Sequence, residues 1–259
     1  MKGVTIKTAA EIKIMAEGGA RLARVREALV RAVGIGVTGL DLEKSANRLI
    51  LAEGGTPSFA MVPGYVHATC INVNDVVVHG IPTDYKFKVG DKVGIDVGMY
   101  YKGFHTDTST TVAVGSKTHA VDAKMLRFLE AGRRALKRGI DQARVGKRIL
   151  DISQAVQEEI EGAGYGAVRA LTGHGVGREL HEEPAIPCFV MGSYNHSPKI
   201  TVGMVLAIEV MYNEGTYEVA YKNTDGWTIV TADGKISGLF EETVAITSDG
   251  PIVLTKLKK

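Results

Sequence analysis

Apolar residues near the start of the chain recur at spacings of three and four. Thr8 and Glu11 have the spacing of a helix capping box, and Met15, Gly18, Leu22, Val25, Leu29 and Val33 then mark one helical face that Gly34 and Gly36 should end. A second start at Thr38 and Asp41 leads into Leu42, Ala46 and Ile50 and stops at Gly54-Gly55. Two more helical faces follow in mid-chain: Val121, Met125, Phe128, Gly132 and Leu136, then Ile149, Ile152, Val156 and Ile160 up to Gly162. Elsewhere the period is two. Val93, Ile95, Val97 and Met99 alternate with Gly94, Asp96 and Gly98, and Lys102-Gly103 reads as a turn into a returning strand from His105 to Val114. Toward the C-terminus the pattern predicts strands at Met204–Tyr212, Thr228–Thr231, Gly238–Thr247 and Ile252–Thr255, with Asp233-Gly234 as a hairpin turn. Helices and hairpins mix without βαβ order, so the expected class is α+β.

Composition narrows the picture. The chain has 259 residues, 45% hydrophobic and 23% charged, which excludes disorder, collagen-like repeats and coiled coil. Neither a linker nor a low-complexity tract interrupts it, so residues 1–259 read as a single domain. Lys and Arg total 31 against 29 acids, a net charge of +2 that gives nucleic acid no electrostatic purchase as main partner. The basic end Lys256, Lys258, Lys259 reads as a solvated tail. Two cysteines, Cys70 and Cys188, exclude a disulfide framework or a cysteine zinc cage and suit a reducing compartment. The start carries no apolar run of signal-peptide length, and the longest apolar stretch, Val202–Tyr212, is short and contains Glu209. The expectation is a cytoplasmic protein without a membrane partner.

The chemistry lies in polar residues where apolar ones belong. Asp96 interrupts an apolar strand. Asp107 lies on the returning strand, directly opposite Asp96 or one diagonal step away on the same face, depending on the turn centre. Glu209 sits in Val-Leu-Ala-Ile-Glu-Val-Met, and Glu241 between Leu239-Phe240 and Thr243-Val244-Ala245. Each alone reads as an exposed or salt-bridged strand residue. Together they lack a matching set of buried-looking Lys or Arg, and buried ionised carboxylates are costly unless paired or bound to metal. A divalent metal site accounts for all of them. Histidine adds to it: His174 is flanked by glycines in Gly173–Gly177, His181 follows seven residues on, and His79 ends an apolar run before Gly80-Ile81-Pro82. His67, His105, His119 and His196 read as ordinary hydrogen-bonding histidines. Four carboxylates and one histidine suit Mn, Fe or Co, with Zn also admissible. Such a set can hold two metals about 3.5–4 Å apart, which points to hydrolysis.

These segments, in this order, resemble type I methionine aminopeptidases. The likeness spans nearly the whole chain. It is strongest from Cys70-Ile71-Asn72-Val73-Asn74 and Val78-His79-Gly80-Ile81-Pro82, through Ile95-Asp96-Val97, Gly103–Ser109, Gly173–Gly177 and His181-Glu182-Glu183-Pro184, to Ile208-Glu209, Asp225-Gly226-Trp227-Thr228 and Phe240-Glu241. The resemblance implies the pita-bread fold, a pseudo-two-fold antiparallel sheet covered by helices, forming one catalytic domain. It implies two divalent ions held by Asp96, Asp107, His174, Glu209 and Glu241, with Asp107 and Glu241 bridging. It makes His79, His181 and Glu209 catalytic: Glu209 moves the water's proton, His181 donates to the scissile carbonyl, and His79 positions the next peptide unit. His79 and His181 thereby also bind substrate, and an apolar methionine pocket lies around Tyr65, Cys70 and Trp227. The implied substrates are nascent polypeptide N-termini near the ribosome whose second residue is small, and the implied state is a monomer. Proline-specific or creatinase-like hydrolases and a metal-free binding protein are the alternatives. This chain departs from the family pattern in a shorter loop from Pro63 to Thr69, in Val210 for the usual Pro, in Glu242 where His is common, and in Leu180 for an aromatic.

Overall fold

A computed structural model describes residues 3–115, 121–222 and 225–257. His119, Lys258 and Lys259 lie outside them. Four helices form as the periodicity predicts: α1 (Ala9–Ala32), α2 (Gly39–Ala52), α3 (Ala123–Gln142) and α4 (Ile149–Gly162). Thr8 with Glu11 and Thr38 with Asp41 complete reciprocal capping boxes at α1 and α2. Val33 caps α1 rather than extending it, and Val121 precedes α3.

The strands are β1 (Thr56–Pro57), β2 (Thr69–Val73), β3 (Val76–Val78), β4 (Lys92–Tyr101), β5 (Phe104–Ala113), β6 (Gly166–Ala167), β7 (Thr172–Gly175), β8 (Glu182–Pro187), β9 (Val205–Asn213), β10 (Val219–Tyr221), β11 (Ile229–Thr231), β12 (Ser237–Thr247) and β13 (Gly250–Val253). Ten of them make one sheet with the path β1-β4-β5-β12-β9-β7-β8; β2 adds to β4, β6 to β9 and β13 to β12. Every pairing is antiparallel. β10, β11 and β3 form a separate small sheet.

Two similar halves meet at β5 and β12. Leu22, Val25 and Leu29 of α1 and Leu42, Ala46 and Ile50 of α2 share a core with Val93, Ile95, Val97 and Met99 of β4. Phe128 and Leu136 of α3 and Ile152, Val156 and Ile160 of α4 share another with Leu206, Ile208, Val210 and Leu239. Helices cover one face of the sheet, and the opposite face is left for chemistry.

Two predicted features differ. Asp233-Gly234 turns the chain, but β11 before it pairs with β3 and β10 while β12 after it joins the large sheet. The turn therefore links two sheets instead of closing a hairpin; turn chemistry is local, whereas the choice of partner strand is not. The last strand is Gly250–Val253, ahead of the expected Ile252–Thr255, because Thr247 and Gly250 close a tighter turn.

Candidate active site

The β4–β5 hairpin turns through Lys102 (φ 48°) and Gly103 (φ 93°), so Tyr101 pairs with Phe104. That register settles the relation of the two aspartates: Asp96 faces Ser109, Asp107 faces Gly98, and the two acids are diagonal neighbours. Ser109 in turn faces Glu241 on β12, and Glu241 faces Glu209 on β9. One row across four strands thus carries Asp96, Glu241 and Glu209 on a single face. A second row, two residues along, carries Asp107, Thr243, Ala207 and His174. Thr243 Oγ1 locks it, accepting the Asp107 N–H at 2.9 Å and donating to the Asp107 carbonyl at 2.8 Å.

The side chains converge where the rows run side by side. Donor atoms of Asp107, His174 and Glu241 lie within 4.8 Å of one another, and His174 Nε2 is 3.9 Å from Glu209 Oε1. His174 Nδ1 lies 2.8 Å from the Gly175 carbonyl, which can only accept, so Nδ1 carries the hydrogen and Nε2 turns its lone pair to the carboxylates. Gly173 is required here because a Cβ would sit 2.6 Å from the Ala207 carbonyl. The close approach it permits is to β9, not to a ligand.

The electrostatics are those of a site built around a cation. Among the described residues, no Lys or Arg forms an ion pair with any of the four acids. Burial, reinforced by the charges of Asp107 and Glu209, pushes the Asp96 and Glu241 carboxyls well above their ordinary range. Burial and the Asp107 charge do the same to Glu209, and burial raises Asp107 to about 7. Asp96 Oδ1 and Glu241 Oε1 are buried without a hydrogen-bond partner. Orphaned anionic oxygens beside an imidazole lone pair are the donor set a divalent metal takes.

His79 and His181 line the same cavity of ≈ 150 Å³ as these five residues. His79 closes β3 in a left-handed conformation (φ 55°), and its carbonyl accepts from Thr228 Oγ1 at 3.4 Å. The His181 ring meets the His174 ring edge-on, centroids 4.5 Å apart. Desolvation holds both imidazoles below the ordinary histidine range, hence neutral near pH 7.

The far wall is apolar. Phe59, Tyr65, Cys70 and Leu180 form a buried cluster flanked by Val62, Ile81 and Trp227. Tyr65 donates its hydroxyl hydrogen to the Thr69 carbonyl at 2.8 Å, the same oxygen lies 3.2 Å from Cys70 Sγ, and its ring meets Trp227 edge-on at 5.1 Å. Asp225 holds Trp227 by accepting its N–H at 2.8 Å. Burial pushes the Cys70 thiol up, so it packs as an apolar group and not as a thiolate ligand. Glu43 of α2 anchors the end of the Pro63–Thr69 loop, accepting from Ala68 N–H at 2.8 Å, Thr69 N–H at 3.0 Å and Thr69 Oγ1 at 2.6 Å.

All sequence-predicted site residues therefore reach one cavity. Phe59 and Val62 line it too and were not predicted, for they stand in and beside a single 3₁₀ turn without periodicity. His67, His105 and His196 stay outside it: His67 faces Glu43 at 3.9 Å, His105 meets Ser58 Oγ at 2.9 Å and His196 meets Ser193 Oγ at 2.8 Å. Glu182, next to His181, pairs instead with buried Lys7 at 2.5 Å.

A cation-demanding cluster on the sheet face of this helix-covered fold defines a metallohydrolase. Residues 13–248 match the Metallopeptidase family M24 model, and the chain belongs to that family. It is 41% identical over 255 residues to the methionine aminopeptidase of Clostridium perfringens, covering 98% of this chain and 100% of that one. The crystal structure of methionine aminopeptidase from Thermotoga maritima superposes with a TM-score of 0.92 at 38% identity, covering 98% of this chain and 100% of that one. The prolidase from Pyrococcus furiosus shares the fold at a TM-score of 0.78 and 25% identity; 98% of this chain covers 66% of that one.

Proposed function

We propose that this chain is a methionine aminopeptidase that removes the N-terminal methionine of polypeptides whose second residue is small, using two divalent ions. The observation that carries the reading is the double row of buried acids, with two unpartnered oxygens, opening directly onto a small apolar pocket. Relatives that match end to end carry the same name, whereas the prolidase extends well beyond this chain. Residues 1–259 act as one catalytic domain in this reading.

Asp96, Asp107, His174, Glu209 and Glu241 would hold the ions, and the two carboxylates nearest the middle of the rows, Asp107 and Glu241, are suited to bridging. Bound ions of this kind supply Lewis acidity and make water nucleophilic at neutral pH. Co, Mn and Fe suit the oxygen-rich set, with Zn as a further candidate. The protein's own groups do the rest. Phe59, Tyr65, Cys70, Leu180 and Trp227 receive the methionine side chain; at ≈ 150 Å³ the cavity takes one side chain, not a drug-sized ligand. Glu209, at the rim between acids and solvent, accepts a proton from the attacking water and delivers it to the leaving amine. His181, neutral, donates its N–H where negative charge develops on the scissile carbonyl. His79 donates to the following peptide unit and sets its orientation. The same reading makes the enzyme a cytoplasmic monomer that meets nascent chains near the ribosome; no described helix is long and apolar enough to cross a membrane.

The test is release of free methionine from Met-Ala-Ser by metal-stripped protein titrated with Co(II), Mn(II) or Fe(II). Metal-dependent release from Met-Ala-Ser and none from Met-Leu-Ser is expected. Stoichiometric metal binding without release would remove the proposal, and cleavage of Xaa-Pro peptides in its place would favour the prolidase-like alternative.

A further inference from the structure

Lys92, the first residue of β4, is 1% exposed and takes no part in the chemistry above. A lysine ammonium is expensive to bury, and burial drives this one down to about 7, opposed by the charge of Asp75. Its position answers what it does there. Nζ donates to the Asn72 carbonyl at 3.0 Å and to the Val76 carbonyl at 2.9 Å, one on each side of the β2–β3 turn. The Lys92 backbone grips the same turn, its N–H donating to Asn74 Oδ1 at 3.0 Å and its carbonyl accepting from Asn74 N–H at 2.9 Å. Asn74 itself is left-handed, with φ 50°.

The turn leads straight to the site. Asn72 Oδ1 accepts the Gly80 N–H at 2.9 Å, and the Gly80 carbonyl accepts from Ile71 N–H at 2.8 Å. The approach is so close that a Cβ on Gly80 would lie 2.4 Å from the Ile71 carbonyl. Residues 72–80 thus form a closed backbone loop, sealed at Asn72–Gly80 and cross-linked inside by the Lys92 side-chain nitrogen. His79 is the residue just before the seal, in a left-handed conformation that a β-region alternative would flip out of the cavity.

We propose that Lys92 is the positioning residue for His79: its buried side-chain nitrogen pins the Asn72 and Val76 carbonyls and so fixes the backbone that aims the imidazole at the substrate. An apolar side chain would fill the space at lower desolvation cost but leave both carbonyls unpaired. The inference rests on the substrate-contacting role given above to His79.

The experiment is a double-mutant cycle on metal-loaded full-length enzyme, reading kcat and KM for Met-Ala-Ser and metal stoichiometry. Lys92→Met in the otherwise native chain should lower kcat/KM by at least ~10-fold with full metal content, since small misplacements of a positioning group cost up to ~10². In the His79→Ala background the same substitution should cost less than ~2-fold, because the group it positions is gone. Equal losses in both backgrounds, or none in either, would overturn the inference. If His79→Ala alone leaves kcat/KM intact, the failure lies with the role of His79. Should Lys92→Met fail to fold, Lys92→Leu, equally without a donor for the carbonyls, carries the cycle. Failure of both to fold would make Lys92 a general stability element and refute the positioning role.

Discussion

Glu242, beside the candidate ligand Glu241, points to the opposite face of the sheet. The structure supplies its partner. Arg26 of α1, buried, donates from Nη1 to Glu242 Oε1 at 2.9 Å and to Thr108 Oγ1 at 2.5 Å. Thr255 Oγ1 also donates to Glu242, and Thr108 Oγ1 donates to the Glu241 carbonyl at 2.9 Å. The pair's side chains are 10% and 19% exposed, which decides the magnitude. Exposed pairs contribute about 0–1 kcal/mol. Removing one partner of a buried pair costs about 3–5 kcal/mol, chiefly because the other charge is left without a counterpart. Glu242→Ala leaves Arg26 only Glu27, whose Oε1 lies 3.4 Å from Nη2, so it should cost about 3 kcal/mol, the low end of that range, and at roughly 2–4 °C per kcal/mol for a chain of this size Tm should fall by roughly 10 °C. Urea unfolding would measure it, with an unchanged m-value confirming that the native state is the one affected. Replacing both partners, Arg26→Met with Glu242→Leu, should restore most of the loss, since an apolar pair needs no charge compensation. As a control, Lys137→Ala breaks the Lys137–Asp141 pair, whose side chains are 76% and 49% exposed, and should change stability by less than ~0.5 kcal/mol. A Glu242→Ala loss below ~1 kcal/mol, or a double variant no better than the single, would refute the reasoning.

The remaining predictions concern the site. His79→Ala and His181→Ala should keep full metal content while losing about 10²-fold or more in kcat/KM, and Asp107→Ala should lose metal as well as rate; wild-type turnover by His181→Ala would remove its assigned role. Metal binding should also release protons. Burial raises Asp107 to about 7 and holds Asp96, Glu209 and Glu241 above their ordinary range, so at pH 6 Asp107 still carries a proton and affinity should rise with pH toward 7 and beyond. His174, held near 4 by burial, is already neutral there and contributes no proton. Titration calorimetry in buffers of differing ionisation enthalpy reads the protons directly, and zero release at pH 6 would contradict the carboxylate shifts.

What the sequence determined by itself is what depends on near neighbours. Capping boxes at Thr8–Glu11 and Thr38–Asp41, the helical stripes, and the two-residue turn at Lys102-Gly103 are closed by groups a few residues apart. The misplaced acids were legible for the same reason, since a charge in an apolar period-two run stands out without knowledge of its partners. Their assembly was not legible. Glu241 reaches Ser109 and Asp107 only because β12 pairs with β5, and Thr108 meets the Glu241 carbonyl across 133 positions of chain. Strand partnership at that range depends on how two helix-backed halves bury their apolar faces against each other, and no local pattern encodes it. The same holds for Asp233-Gly234, a good turn whose flanking strands went to different sheets, and for Phe59 and Val62, ordinary loop residues until the fold turns them into a pocket wall. Nothing along the chain singles out Lys92 or Arg26; only the tertiary structure, by burying each against carbonyls or a carboxylate it could not have met otherwise, gave them work next to the site.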